Sequence, residues 1–473
     1  MIRPLSLPLL GLLALSLTGC FGDDSSAKPA APTKNVLFFL GDGMGMTTMT
    51  AARIYSVGED GELTMDQLPE TAFVHTYSND AQVTDSAPSM SAYMTGVKMN
   101  NEVLSMSPDT RAVDAAGKPY HVKYDSTCPA SNGTPVETLL EQMKAAGYGT
   151  GVVTTTRITH ATPAATYSHV CHRDAENTIA AAMVPGGAGY NAKLADGIDV
   201  VFGGGSSYFQ PSTVSGGLRN DGRDLIAELK AAKYGFAANK TEFDALPIDG
   251  RTKIAGLFTK SHMAYDLDRD PAKEPSLAEM TAKAIDALAA RKKGFFLMVE
   301  GGRIDHALHA TNARRALQDT VAFDQAIKTA LQKMQAVDPG LKNTLIVVTA
   351  DHDHTLQMNG YAQRTGKTEA GKPGVLGVVK NYVNGAPSTD VDGNPYTVLG
   401  FGNGPRRLAT RGPIDDATLE GADYLQEAVV PLASETHGGA DVFLGAQGLG
   451  ADGFAGTIDN TEVFGLIKKA IGL

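Results

Sequence analysis

Short apolar runs recur along this chain, and each is followed by glycine or polar residues. Such runs predict parallel strands buried on both faces. They lie at 35–40, 151–156, 200–205, 295–299, 345–350 and 441–445. Helical stretches alternate with them from Lys34 to the C-terminus. This alternation predicts the α/β class, with a doubly wound, mostly parallel central sheet flanked by helices.

Amphipathic periodicity predicts several helices, of which the clearest span 134–146, 276–291 and 311–336. Two regions interrupt the alternation: 105–131 is polar, and 360–418 is rich in Gly, Pro, Asn and Asp. We expect both regions to be surface insertions, the second resembling a crown on the sheet. The sequence therefore predicts one domain over 34–473.

Polar side chains stand where four of the predicted strands end. In chain order these are Asp42, then His160 and Thr162, then Glu300, Asp305 and His309, and finally Asp351 and His352. Open α/β sheets bind ligands beyond the carboxyl ends of their strands. The four strand ends therefore predict one site rich in carboxylate, imidazole and hydroxyl groups.

The ligand types at these strand ends predict metal binding. Asp305 and His309 are four residues apart, so they lie on one face of a helix. His437 adds an imidazole in a Gly-rich loop. Any one of these residues, taken alone, is better interpreted as a surface ion pair or a core histidine. Together, nitrogen and oxygen ligands without thiolate favour zinc, and oxygen-only groups favour magnesium.

Ser86 is the candidate nucleophile. It precedes a stretch, 89–97, that can form a helix, and Pro88 suits a first helical turn. A serine at a helix N-terminus lies in a field that stabilises negative charge and phosphate. The Asp85-Ser86 pair alone is better interpreted as an ordinary helix cap. Only the surrounding ligand groups favour a catalytic role.

The first twenty residues predict an export signal. Arg3 is followed by an apolar stretch too short to span a bilayer, and 17–20 resembles a bacterial lipobox with Cys20 as the lipidated residue. An ordinary cleaved signal is the alternative. Residues 21–33 predict a flexible tether. The residue after Cys20 is not Asp, which favours an outer-membrane lipoprotein facing the periplasm or the cell surface.

Cysteine content and charge limit the remaining possibilities. Export favours a disulfide between Cys128 and Cys171, with two reduced thiols as the alternative. The formal net charge of −11, without a block rich in Lys or Arg, argues against a nucleic-acid partner. Membrane contact is expected only through the lipid anchor.

The chain resembles the alkaline phosphatase family in six motifs that occur in that family's order and span nearly the whole mature chain. They are Gly41-Asp42-Gly43-Met44-Gly45, Val83-x-Asp85-Ser86-Ala87, His160-Ala-Thr162-Pro163-Ala164, Val299-Glu300-Gly301-Gly302-Arg303-Ile304-Asp305-His306, Thr349-Ala350-Asp351-His352 and Thr436-His437-Gly438-Gly439. The resemblance implies hydrolysis of small phosphate monoesters through a phosphoserine on Ser86, with two Zn²⁺ and one Mg²⁺. It also implies a homodimer.

The resemblance assigns a ligand set to each ion. The first zinc would be held by Asp305, His309 and His437, the second by Asp42, Asp351 and His352, and the magnesium by Asp42, Glu300 and Thr162. Arg173 matches the arginine that holds the non-bridging phosphate oxygens. Arg157 and His172 are alternatives for that inward-pointing position.

The chain departs from some family members at the third metal. His160 and His306 stand where some bacterial relatives carry Asp and Lys, and they match animal-type and some marine bacterial enzymes. An imidazole there would loosen the preference for magnesium. His306 would contact phosphate directly or through water, or support another residue. Thr259 stands where animal enzymes carry an acidic calcium ligand, so we predict no calcium site.

Three alternative functions remain open. Ser86-x-Pro88-Ser89 is similar to the modification motif of sulfatases, but that motif requires Arg where Met90 stands. Phosphodiesterases of the same superfamily usually carry Thr as nucleophile and lack the counterpart of Arg173. A non-catalytic, lipid-tethered protein that binds metal or phosphate is the third alternative, but none of the expected ligands is missing.

Overall fold

The computed structural model describes residues 33–473. The predicted signal, lipobox and most of the tether lie outside the described residues. A ten-stranded central sheet forms the centre of residues 33–473, which fold as one unit. Its strands are β1 (Asn35–Gly41), β2 (Glu70–His75), β3 (Gly149–Arg157), β4 (Val200–Gly204), β5 (Gly235–Ala237), β6 (Ile254–Leu257), β7 (Phe295–Gly301), β8 (Thr344–Ala350), β9 (Val442–Gly448) and β10 (Gly456–Asp459).

The strand order is β10-β2-β9-β8-β1-β7-β3-β4-β6-β5. Among these ten strands β9 alone runs antiparallel to its neighbours. The central strand β1 pairs in parallel with β7 and β8, and Gly41 is in register with both Gly301 and Ala350. The three strands therefore end level with one another, and the chain leaves the sheet at one edge after each of them. The predicted α/β class is confirmed.

Twelve α-helices occur in the described chain. They are α1 (Met46–Val57), α2 (Ser86–Thr95), α3 (Leu139–Ala145), α4 (Ala161–Ala164), α5 (Glu176–Ala182), α6 (Leu225–Ala231), α7 (Lys240–Asp244), α8 (Leu277–Ala289), α9 (Arg303–His309), α10 (Ala313–Val337), α11 (Asp416–Leu419) and α12 (Asn460–Ile471). The predicted helices at 276–291 and 311–336 correspond to α8 and α10. Ser276 and Asn312 cap their N-termini.

The third predicted helix, 134–146, begins later than the pattern indicated. Thr138 caps α3 by accepting from the Glu141 N–H, and the Glu141 side chain accepts from the Thr138 N–H in return. Pro135 instead forms an antiparallel bridge with Met106. Residues 134–137 are therefore extended, because the capping box fixes where the helix starts.

The two irregular regions lie outside the central sheet. In 105–131, two-residue strands His121–Val122 and Asp125–Ser126 form a hairpin, and a disulfide joins Cys128 to Cys171. The region 360–418 contributes Leu399–Gly404 to a small three-stranded sheet with Leu356–Met358 and Ala428–Pro431. Within residues 33–473 no helix has the length and apolar character needed to cross a bilayer.

Candidate metal-binding active site

Ser86 is the first residue of α2, and it lies at the edge where β1, β7 and β8 end. Asp85 caps the helix by accepting from the Ala87 N–H at 2.7 Å. The Ser86 Oγ lies 3.2 Å from His352 Nε2 and 3.4 Å from Asp42 Oδ1. Because His352 Nδ1 faces the Asp353 carbonyl at 3.2 Å and donates to it, Nε2 carries the lone pair that faces Ser86.

The first ligand group is built by α9 and the loop around His437. Asp305 Oδ1 lies 3.2 Å from His309 Nε2 and 3.5 Å from His437 Nε2. Each imidazole donates its Nδ1–H to a backbone carbonyl, that of Glu435 for His309 at 2.6 Å and that of Thr84 for His437 at 2.7 Å. The two Nε2 atoms therefore face each other at 3.2 Å, with Asp305 Oδ1 beside both of them. A cation between the three atoms could be held by all of them.

The second ligand group lies against Ser86. His352 Nε2 is 3.4 Å from Asp42 Oδ1 and 3.6 Å from Asp351 Oδ2. The Gly43 N–H donates to Asp351 Oδ1 at 3.0 Å, but Asp351 Oδ2 has no hydrogen-bond partner in the described structure. Burial raises the pKa of Asp42 well above its usual range and that of Asp351 to about 7. A bound cation offsets such a cost, because it stabilises the ionised carboxylates.

The third group is made mainly of oxygens. Thr162 Oγ1 lies 3.4 Å from Asp42 Oδ2, and Glu300 Oε2 accepts from the hydroxyls of Thr154 and, at 3.1 Å, Thr156. Glu300 Oε1 is buried and has no partner among the described atoms. Burial raises the pKa of Glu300 to about 7. His160 lies close enough to join Asp42 and Glu300 around one ion.

Arg173 points into the site from beside the disulfide. Its Nη1 donates to Asp85 Oδ1 at 3.0 Å, and its Nη2 lies 3.2 Å from His160 Nε2. The two alternatives for this position are engaged elsewhere. Arg157 donates to both oxygens of Glu176 at 2.8 Å, and the His172 ring packs against the His121 ring with centroids 4.5 Å apart.

His160 and His306 form the wall beside these groups, with ring centroids 5.2 Å apart. Burial, and then the charge of Arg173, lowers the pKa of His160 well below its usual range. Burial lowers the pKa of His306 to about 3. Burial therefore favours the neutral form of both imidazoles. His262, which no sequence pattern singled out, packs on His306 with ring centroids 4.2 Å apart.

His354 and Glu435 support the first ligand group, and sequence reasoning gave neither a role. His354 Nε2 lies 2.9 Å from Asp305 Oδ1, and its Nδ1 lies 2.5 Å from Glu435 Oε2. Burial opposes protonation of His354, but the two carboxylates outweigh it and raise its pKa to about 10. The alternating Asp and His of 351–354 was the available signal. Asp353–His354 pairs with His437–Gly438, which brings the two loops together.

The fold and the site together define a metal-binding enzyme of the α/β class, with a serine held beside the ligand groups. The family profile described as "Alkaline phosphatase" matches residues 33–473. Among known proteins, the tissue-nonspecific alkaline phosphatase of Gallus gallus is 37% identical over 448 residues, covering 88% of this chain and 80% of that protein. The membrane-bound alkaline phosphatase of Bombyx mori is 37% identical over 475 residues, covering 93% and 80%.

Solved alkaline phosphatase structures have a similar fold. The crystal structure of Thermus thermophilus alkaline phosphatase is 25% identical, with a TM-score of 0.64, and the match covers 94% of this chain and 92% of that one. The chain belongs to the alkaline phosphatase family. It is an enzyme, a phosphoric monoester hydrolase.

Proposed function

We propose that the chain hydrolyses phosphate monoesters through a covalent phosphoserine on Ser86, assisted by two zinc ions and one magnesium ion. The observation that carries this proposal is the position of the Ser86 hydroxyl, within 3.4 Å of both His352 Nε2 and Asp42 Oδ1. A serine hydroxyl needs a base or a cation to become a nucleophile at moderate pH. The buried carboxylates and imidazoles around it suit a cation.

The donor sets support the proposed metals. Asp305, His309 and His437 offer one carboxylate and two imidazole nitrogens, a set that suits zinc, and so does the set of Asp42, Asp351 and His352. Glu300, Thr162 and the second oxygen of Asp42 suit magnesium, with His160 reducing that preference. Bound there, the ions would supply Lewis-acid stabilisation of the nucleophile, the leaving oxygen and the phosphoryl oxygens.

The residues of the chain would divide the reaction among them. Arg173, which pairs with Asp85 in the structure, would donate two N–H groups to non-bridging phosphate oxygens. The Ser86 hydroxyl would lose its proton and its oxygen would form a bond to phosphorus, while the bond from phosphorus to the ester oxygen breaks and that oxygen takes up a proton and leaves as the alcohol. Water would then attack the phosphoserine, which releases inorganic phosphate and restores the Ser86 hydroxyl. The N-terminus of α2 would stabilise the phosphoryl group during both steps.

Ser86→Ala tests the covalent step. We expect this variant to lose turnover of a phosphate monoester while it keeps the metal content of the wild type. Mass spectrometry of acid-quenched enzyme should show one added phosphoryl group on wild-type Ser86 and none on the variant. A variant that turns over at the wild-type rate would overturn the mechanism.

Rates on a monoester, a diester and a sulfate ester test the substrate class. Met90 takes the place of the arginine that the sulfatase motif requires, and Arg173 favours a terminal phosphoryl group with free oxygens. We therefore expect the monoester to react fastest. A faster sulfate ester or diester would reassign the enzyme within the superfamily, and no turnover of any of the three would indicate a binding protein.

Export and anchoring complete the proposal. We infer that residues 1–20 direct export and that Cys20 carries a lipid, with phosphomonoesters reaching the enzyme from outside the cytoplasm. Mass spectrometry of the mature N-terminus tests this, because Cys20→Ala should abolish the lipid adduct. The homodimer remains a prediction, which analytical ultracentrifugation of the purified protein can test.

A further inference from the structure

Ser89, in the segment Pro88-Ser89-Met90 beside the candidate nucleophile, forms hydrogen bonds with two distant parts of the chain. Ser89 is 1% exposed and lies one turn after Ser86 on α2. Its hydroxyl donates to the backbone carbonyl of Asp351 at 2.7 Å. This carbonyl directly precedes His352, whose Nε2 faces Ser86.

A second side chain on the same helix face contacts the neighbouring carbonyl. Tyr93 lies four residues after Ser89, is fully buried, and donates its hydroxyl to the Ala350 carbonyl at 2.8 Å. Residues spaced by four lie one above the other on a helix. The face of α2 below Ser86 is therefore attached at two points to consecutive carbonyls at the end of β8.

The C-terminal helix contributes a third contact. Asn460, the first residue of α12, is fully buried, and its Nδ2 donates to Ser89 Oγ at 3.2 Å. The Ser89 hydroxyl thus accepts from Asn460 while it donates to Asp351, so it cannot rotate without losing both bonds. α12 packs along α2.

From these contacts we infer that Ser89, with Tyr93 and Asn460, positions the nucleophile helix on the strand end that carries Asp351 and His352. These are positioning residues, because they act through Ser86 and do not touch the reacting atoms. The inference rests on the proposed role of Ser86. Its physical basis is that reactivity falls steeply when a nucleophile is displaced, by about a hundredfold for a misplacement near 1 Å.

Ser91 supplies a matched control on the same helix. It is also a fully buried serine, but its Oγ accepts from the Ser105 N–H at 3.0 Å and forms no hydrogen bond with residues 344–351. Ser91→Ala therefore removes a buried hydroxyl of the same kind from a different face. A purely structural contribution would be similar for Ser89→Ala and Ser91→Ala.

The experiment compares both variants in the metal-loaded enzyme. We expect Ser89→Ala to lower kcat about tenfold to a hundredfold, with a change in KM below about threefold, and to keep the metal content. Ser91→Ala should keep kcat. Tyr93→Phe, which removes only the hydroxyl, should lower kcat less than Ser89→Ala, and it carries the same test if Ser89→Ala does not fold.

A double-mutant cycle tests whether Asn460 acts through Ser89. Asn460→Ala alone should lower kcat, and it should add nothing in the Ser89→Ala background. Equal kcat values for the Ser89 and Ser91 variants, or fully additive effects of Asn460 and Ser89, would overturn the positioning role. The result for Ser86→Ala separates the two proposals, because an inactive Ser86 variant beside an unaffected Ser89 variant contradicts only this inference.

Discussion

Two regions of the described chain bury carboxylates beside imidazoles, and they differ in how their polar atoms are satisfied. In the first turn of α3, Glu141 is 1% exposed. Its Oε1 accepts from His169 at 2.8 Å and from Asn191 at 2.5 Å, and its Oε2 accepts from the Thr138 N–H at 2.7 Å. His169 Nδ1 donates to the Ser105 carbonyl at 2.7 Å. Every charged atom of this pair has a partner.

The pocket at the sheet edge has the same residue types, but several of its buried polar atoms lack hydrogen-bond partners. Glu300 Oε1 and Asp351 Oδ2 are buried without a partner, and the Nε2 atoms of His309 and His437 face each other. Unpaired buried charge is costly, so it persists where a ligand satisfies it. Burial of carboxylate and imidazole therefore does not indicate a metal site by itself. At the sheet edge, the unpaired oxygens of two buried carboxylates favour one.

Removal of metal by a chelator should have the largest effect, and it should act on the pocket at the sheet edge and not on the Glu141–His169 pair. Removing the metals should abolish turnover and lower the free energy of unfolding, by about 2.7 kcal/mol for each site that had been held at a hundred times its Kd. Zinc plus magnesium should restore both. The measurement is urea denaturation and monoester turnover before and after dialysis against a chelator. Full activity in metal-free enzyme would contradict the interpretation that the unpaired atoms at the sheet edge bind metal.

Matched Glu→Gln substitutions sharpen the contrast. Glu300→Gln should lower the metal content. It should also reduce turnover by about tenfold to a hundredfold, the effect typical of groups that support a metal. In chelated enzyme at pH 8 it should not destabilise the fold, because burial raises the pKa of Glu300 to about 7 and the charge is a cost there.

Glu141→Gln should behave in the opposite way. It should leave turnover unchanged and lower the free energy of unfolding by about 1–3 kcal/mol in loaded and chelated enzyme alike, because an amide would face donors. Urea denaturation of both variants in both states provides the measurement. If the two variants lost equal stability in chelated enzyme, the two regions would not differ as described.

Arg173→Ala tests a group that is paired in the structure, with Asp85, and that is proposed to bind phosphate as well. Loss of its charge-assisted hydrogen bonds should reduce kcat/KM for a monoester about tenfold to a hundredfold. A diester has fewer free oxygens for the guanidinium, so its kcat/KM should fall less. Equal losses on both substrates would count against phosphate binding by Arg173.

The strand ends could be predicted from sequence because their signals are local. A buried parallel strand is a continuous apolar run, and the residues after each such strand leave the sheet at a shared edge. This reasoning brought Asp42, Glu300 and Asp351 to one edge, and the register of Gly41 with Gly301 and Ala350 shows why it worked.

The supporting residues could not be predicted, because they depend on contacts between distant segments. His354 reaches Asp305 and Glu435 only after the strand Asp353–His354 pairs with His437–Gly438. In the sequence Ser89 appears only in the resemblance to the sulfatase motif, whereas its contact with Asp351 forms when α2 packs against the end of β8. Neither contact has a periodic or spacing signal along the chain.

The smallest expected effect is the pH dependence of the satisfied pair. Burial opposes the charge on both partners, but the bond between them lowers the pKa of Glu141 below its usual 4.5 and raises that of His169 above its usual 6.5. The Glu141 contribution to stability is therefore present above pH 4.5 and lost as pH falls through its lowered pKa. The His169 contribution is present below pH 6.5 and lost as pH rises through its raised pKa.

The pair should accordingly stabilise the fold most between pH 4.5 and 6.5. His169→Gln tests the upper limit. The stability difference from wild type, about 1 kcal/mol near pH 6, should shrink as the pH is raised to 9, because the imidazole loses its proton as pH rises through its raised pKa. Urea midpoints at both pH values provide the measurement, in chelated enzyme so that metal binding does not contribute. A difference that grows with pH would mean that neutral His169 stabilises the fold, contrary to its ion pair with Glu141.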